Sequence, residues 1–186
     1  WWVNLFGHAH PAIGAAIADQ LDSLEHAMLA GFTHEPVVQL SERLARLAPG
    51  RLGHAFYASD GASATEIALK MAFHAFVNRG RPGKNRFVHL EGGYHGETVG
   101  ALAVTDVAIF RDAYGPLLRH NVQAPFPGGG PGGKEPASEA SAAEAALALA
   151  RLLEARSEEI AALIVEPLVQ GASGMRMYHP LYLRLA

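Results

Sequence analysis

The chain has 186 residues, with 15 Lys and Arg against 18 Asp and Glu, a formal net charge of −3 and no cysteine. That balance suits a globular protein of one domain or part of a larger one, and basic residues scattered among acids exclude a nucleic-acid binder. The lack of cysteine excludes disulfides, thiolate metal sites and thiol nucleophiles and fits a cytoplasmic enzyme, while no apolar run of about 18 residues offers a membrane span.

In chain order, a helix is expected over Ala12 to Met28, where Ile13, Ile17, Leu21 and Leu24 recur at spacings of three and four, with Gly31 ending it. A second helix is expected over Glu35 to Leu47, with Val37, Leu40, Leu44 and Leu47 on one face and Pro49-Gly50 as the stop. That stripe calls for a sheet or helix to cover it. His54 to Ser59 then reads as a strand, followed by a turn of small residues and a long helix through Ile67, Met71 and Phe76.

Arg86 to Leu90 reads as a second strand and Gly92-Gly93 as a turn, while Glu97 to Val104 is short, apolar and undecided between helix and buried segment. Pro125 to Pro136 is a glycine- and proline-rich surface loop, and Ser138 to Arg156 is an alanine-rich helix. Ala161 to Val165 reads as a buried strand that runs into Glu166-Pro167. Strands alternating with helices predict an α/β fold with a mainly parallel sheet and right-handed crossovers. The opening on Trp1-Trp2 without methionine, and a helix that begins behind Pro180 and stops uncapped, predict a segment cut from a longer chain.

Three segments offer chemistry. Ser59-Asp60-Gly61-Ala62-Ser63 enters a helix, where unpaired N–H groups and the positive dipole end suit a phosphate. The same residues also read as plain capping, because Ser63-Ala64-Thr65-Glu66 has capping-box spacing. Gly93-Tyr94-His95-Gly96 lies beyond a strand, where parallel sheets take their ligands, and reads either as a ring free to lie on a flat heterocycle or as a packed turn.

Glu166, at the end of a buried strand, needs a cation or several donors and reads as a site residue or a structural ion pair; Glu66 with Lys70 reads as a helix pair. The ten histidines lack metal-ligand spacing: His34-Glu35 has no second histidine at helical distance, and no metal site is expected. Neither a G-x-S-x-G elbow nor a Walker A loop occurs.

Trp1-Trp2, Gly31-Phe32-Thr33-His34, Ser59 through Ala72, Tyr94-His95-Gly96-Glu97-Thr98 and Ile164 through Gly171 together resemble the class III pyridoxal-phosphate aminotransferases, in order and along the whole chain. Trp1-Trp2, Gly31 to His34 and Gly174 to Pro180 are similar to the biotin-pathway members of that class, ahead of those acting on ornithine, 4-aminobutyrate or glutamate semialdehyde. The resemblance implies the large domain of a fold-type I transferase, with residues 1–30 leading in from a smaller domain and 31–186 an incomplete large domain.

It also implies pyridoxal 5′-phosphate as cofactor, S-adenosylmethionine and 8-amino-7-oxononanoate as substrates, and a homodimer. Residue by residue, Ala62 and Ser63 match the phosphate-binding turn, Tyr94 the aromatic that stacks near the cofactor ring and touches substrate, and Trp1 a substrate-contacting tryptophan. Glu166 matches a cofactor-side polar cluster together with Gln170. Relatives often carry glycine where Ala62 stands; alanine serves if its φ is negative, because backbone N–H groups do the binding. The cofactor-bearing lysine and the aspartate facing the pyridine nitrogen are expected beyond residue 186, and Lys70, Lys84 and Lys134 are assigned no catalytic role. The alternatives are another class III aminotransferase and a non-catalytic α/β phosphate-binding module.

Overall fold

The structure, a computed structural model, describes residues 3–129 and 137–186. The chain divides into two compact units, Trp1–Phe56 and Tyr57–Ala186.

The first unit holds helices α1 (Pro11–Leu21) and α2 (Glu35–Leu47). Each starts with a proline in its first two positions, where the ring's fixed φ suits a helix and its missing N–H costs nothing. α1 is shorter than the apolar spacing predicts: it ends at Leu21, and Gln20 carries both the carbonyl that receives Leu24 N–H and a side chain that donates to Leu24 O, closing the turn. The α2 stripe of Val37, Leu40, Leu44 and Leu47 forms as expected, yet neither helix has a buried residue and Leu47 is 82% exposed.

The second unit is an α/β layer structure. Its sheet has the order β2-β1-β3, all parallel, from β1 (Arg86–Leu90), β2 (Val122–Ala124) and β3 (Ile160–Ile164). β1 is the middle strand and is buried on both faces, as a parallel sheet requires. Val88 and Leu90 point to one face with Val122, Ala124 and Leu163, where α6 (Glu139–Ala155) lays down Ala142, Ala145, Ala146 and Leu149 at helical spacing. Small alanines let the helix approach the sheet closely. Tyr178 and Tyr182, the latter on α7 (Leu181–Leu185), complete that core.

Phe87 points to the other face, against Val104 and against Leu69 and Ala72 of α3 (Gly61–Val77). The parallel sheet flanked by helices is the expected class of fold. β3, expected to be buried, is mostly half-buried because it is an edge strand among the described residues.

One expected strand is absent. His54 to Ala58 has no strand pairing, and Phe56 is 72% exposed. Aromatic content describes a strand only when a neighbour supplies the ladder, and among the described residues no strand pairs with 54–59. The undecided Glu97 to Val104 segment contains the one-turn helix α4 (Val99–Leu102). A further short helix α5 (Ala108–Arg111) leads into a 3-10 turn over Asp112–Leu117, and β4 (Val169–Gln170) pairs antiparallel with β5 (Arg176–Met177). Helix α6 begins where Ser138 and Ser141 cap each other.

Candidate active site

α3 starts at Gly61 because Asp60 is extended (φ −160°) and its carboxylate accepts the Ser63 N–H at 2.8 Å. The cap is therefore Asp60, three residues before the Ser63 that capping-box spacing singles out; Ser63 is already helical. Ser63 Oγ also donates to Asp60 at 2.8 Å, and Ser59 Oγ donates at 2.9 Å. These donors, the Ser63 N–H first, hold the Asp60 carboxyl below its ordinary value. Glu66 does not pair with Lys70. Its Oε1 accepts the Thr98 hydroxyl at 2.7 Å and the Gly100 N–H at 2.8 Å, which fastens α3 to the start of α4.

The loop after β1 packs directly on this helix start. Gly96 has φ +119°, and a Cβ there would lie 2.6 Å from the Ala62 Cβ, so glycine alone permits the approach. Thr65 Oγ1 of α3 donates to the His95 carbonyl at 2.8 Å, and the His95 N–H donates to Thr105 Oγ1 at 3.0 Å. Thr105 is fully buried, and its hydroxyl also reaches the Ala101 carbonyl at 3.0 Å. Asp106 then accepts the Gly92 N–H at 2.9 Å and the Gln123 amide at 3.0 Å.

Tyr94, in this loop, is gripped at three points. Its N–H donates to Glu166 Oε1 at 2.9 Å, its hydroxyl donates to Glu97 at 2.9 Å, and its ring lies 5.3 Å from that of Phe110 at 59°. Burial, then the Glu97 bond, raises the phenol above its ordinary value, so the hydroxyl stays protonated. His95 is neutral: burial first and the nearby His89 second push it down to about 4, and its Nε2 has no hydrogen-bond partner. His89, 2% exposed, is likewise lowered, chiefly by burial.

Glu166 follows β3 and needs no cation. Its Oε2 takes the Gly171 N–H at 3.0 Å, and its carbonyl takes the Tyr178 hydroxyl at 2.5 Å. Gln170 is fully buried and donates to the Glu91 carbonyl at 2.9 Å. Beside it, Arg176 lies over the Phe126 ring at 3.8 Å, with Nη2 3.9 Å from Glu91. At Gly92 (φ +71°) a Cβ would meet the side-chain ends of Arg176 at 2.7 Å and of Gln170 and Ser173 at 3.0 Å, so any side chain there would strain the backbone and push these three aside.

The expected residues Ala62, Ser63, Tyr94 and Glu166 are thus linked, from α3 through the Tyr94 loop to the end of β3. Trp1 lies outside the described residues, as does Lys134. Lys70 is exposed on α3, and the Lys84 amine donates to the Ser157 and Ile160 carbonyls while sitting 5.1 Å from the Phe76 ring centroid. Among the described residues no group of three or more His, Cys, Asp or Glu is arranged to hold a metal, and no helix is long and apolar enough to cross a membrane. Thr105 and Asp106 were not singled out by sequence reasoning, and Asp60 and Thr65 were named in the helix-start segment without these roles. The one available signal was a Thr-Asp pair closing the apolar run 99–104.

A phosphate fits the start of α3 on two observations. Gly61 faces open space, with no atom within 4 Å of an added Cβ, and Ser63 is a short side chain at the third helical position. The fit has a condition: the Ser63 N–H and hydroxyl, both donated to Asp60, must turn from that carboxylate to reach the anion.

The description of the class-III aminotransferase family matches residues 1–186. An adenosylmethionine-8-amino-7-oxononanoate aminotransferase of Helicobacter pylori is 43% identical over 187 residues, covering 100% of this chain and 40% of its own. A solved structure of the same-named enzyme from Methanocaldococcus jannaschii superimposes with a TM-score of 0.86 at 34% identity, covering 99% of this chain and 39% of its own. An amine transaminase from an uncultivated Pseudomonas species, solved in a PLP-bound form, gives 0.86 and 34%, covering 96% and 41%. The chain spans about 40% of the length of these relatives.

Proposed function

Since the chain belongs to the class III aminotransferases, we propose that it builds the phosphate and ring-stacking side of a pyridoxal-phosphate site in an enzyme of its relatives' full length. That enzyme moves the amino group of S-adenosylmethionine to 8-amino-7-oxononanoate, giving 7,8-diaminononanoate for biotin. The observation that carries the cofactor reading is the close packing of Gly96 on Ala62, which joins a phosphate-sized helix start to an aromatic loop beyond the C-terminal end of a parallel strand. The substrate reading rests on the name of the Helicobacter pylori relative.

The cofactor, when bound, supplies an electron sink for bond changes at the amino-bearing carbon. Ala62 and Ser63 hold its phosphate through main-chain N–H groups and the Ser63 hydroxyl, helped by the positive end of α3. Tyr94 lies against the ring and lines the substrate space, and Glu166 completes the cofactor side. Trp1 contacts substrate. The lysine that carries the cofactor is supplied from outside residues 1–186. Residues 1–30 lead in from the smaller domain and 31–186 belong to the cofactor-binding domain of a cytoplasmic homodimer.

The test is a full-length enzyme carrying this segment, loaded with pyridoxal phosphate and given 8-amino-7-oxononanoate with one of three amino donors. Diaminononanoate formed from S-adenosylmethionine supports the reading. Product formed from ornithine or 4-aminobutyrate, and none from S-adenosylmethionine, transfers the chain to another branch of the class.

A further inference from the structure

We propose that Glu166 is a positioning residue which fixes Tyr94 through the tyrosine's main-chain N–H, so that substrate binding depends on a carboxylate whose two oxygens are both held by backbone N–H groups. This rests on the reading of Tyr94 as a substrate-lining ring.

The carboxylate is a two-pronged clamp. One oxygen holds the Tyr94 N–H at 2.9 Å and the other holds the Gly171 N–H at 3.0 Å, so a single side chain ties the loop after β1 to the loop after β3. Its own main chain is held in turn by the buried Tyr178 hydroxyl. Among the described residues no Lys, Arg or His pairs with it. A half-buried carboxylate needs its charge answered, and here two peptide N–H groups answer it. That is the geometry of a strut between loops: each prong is already directed at a backbone group.

Tyr94 needs such a strut because of its neighbours. Gly93 precedes it and Gly96 follows two residues later, and glycines leave the backbone free to choose among conformations. The Glu97 and Phe110 contacts hold the hydroxyl and the ring, so they act at the far end of the side chain. The flanking main chain is held at Gly93 by Leu90 and Asp106 and at His95 by Thr65 and Thr105; the Glu166 bond is the one that holds the Tyr94 N–H itself, and a small swing there moves the ring that projects from it.

The experiment uses the full-length, cofactor-loaded enzyme with Glu166→Ala, Tyr94→Ala and the double variant, with Glu166→Gln as the second Glu166 variant should alanine fail to fold. Glutamine keeps one acceptor oxygen but turns an NH2 toward the other N–H, so it can satisfy only one prong. Glu166→Ala is expected to raise the KM for S-adenosylmethionine about tenfold while lowering kcat by less than about threefold, the size expected for one hydrogen bond to a charged group. The double variant should be no worse than Tyr94→Ala alone, because the two act as one unit. In amide hydrogen exchange, residues 92–96 of Glu166→Ala should open about tenfold faster.

Additive losses in the double variant, or unchanged exchange over 92–96, overturn the proposal. Weakened cofactor retention at Glu166→Ala with normal exchange overturns it too, and makes Glu166 a direct cofactor contact. Normal kinetics in Tyr94→Ala would instead remove the substrate-lining reading of Tyr94, while the exchange measurement still decides whether Glu166 pins the loop.

Discussion

At the start of α3 two anions claim the same donors. The Asp60 carboxylate holds the N–H and hydroxyl of Ser63, which a cofactor phosphate would also use. Asp60→Asn keeps a good helix cap and removes the negative charge, so cofactor should be retained more tightly, as a slower loss on dialysis of the full-length enzyme. Ser63→Ala should act in the opposite direction, weakening retention by about 1.5 to 3 kcal/mol, the worth of one charge-assisted hydrogen bond, with little change in Tm because the backbone cap survives. Equal retention in both variants would mean that the phosphate sits elsewhere.

His95 gives a pH dependence with a definite sign. Its imidazole titrates near 6.5 when unfolded and is pushed down to about 4 when folded, mainly by burial. As pH falls through 6.5 the unfolded chain takes up a proton that the folded chain refuses until about 4. The stability contributed by the neutral ring is therefore complete above 6.5 and lost progressively down to about 4. Replacing His95 with Gln should flatten the fall in Tm across that window. An unchanged slope would assign the acid sensitivity to other groups.

Among the elements, the contact of α3 with the Tyr94 loop is the one a single methyl group can break. Gly96→Ala would force a Cβ onto Ala62 and strain a φ of +119°, at a cost of about 1 to 3 kcal/mol. Cofactor affinity and thermal stability should fall together, whereas Gly61→Ala, facing open space, should leave stability nearly intact. Thermal melts with a cofactor titration check both.

How far the elements were legible follows from what decides each. β1, β3 and α6 could be read because their signals are local: compact apolar runs, and an alanine-rich helix behind Ser138. The cap of α3 was misread because Asp60 to Ser63 and Ser63 to Glu66 have the same spacing, and only the extended φ of Asp60 separates them. The strand expected at 54–59 failed because pairing is a property of neighbours. Glu66 and Glu166 were visible as acidic residues, but their partners, Thr98 and Gly100 for one and the Tyr94 N–H for the other, are far along the chain and no spacing announces them.

For the molecule as a whole, the absence of a usable lysine among the described residues has a chemical readout. Lys84 has its amine tied to two carbonyls, and Lys70 stands on an exposed helix face. Incubated with pyridoxal phosphate and reduced with borohydride, the chain should carry no stoichiometric adduct on either residue by peptide mapping. One stoichiometric adduct accompanied by turnover of S-adenosylmethionine would overturn the assignment of that role to a residue outside the chain.

The strand order β2-β1-β3 also bears on how the chain is made. The central strand is synthesised first, and Val88 must wait for Val122 and, much later, for Leu163. A sheet assembled from such distant pairings has a high contact order and folds slowly. While ribosomes are still extending the chain, Phe87, Val88 and Leu90 form an unpaired apolar template, with Arg86 its one fixed charge, on which neighbouring nascent chains can stack. Slower synthesis at lower temperature, or a chaperone that shields residues 86–90 until 160–164 emerge, should raise the fraction of chain recovered in soluble form.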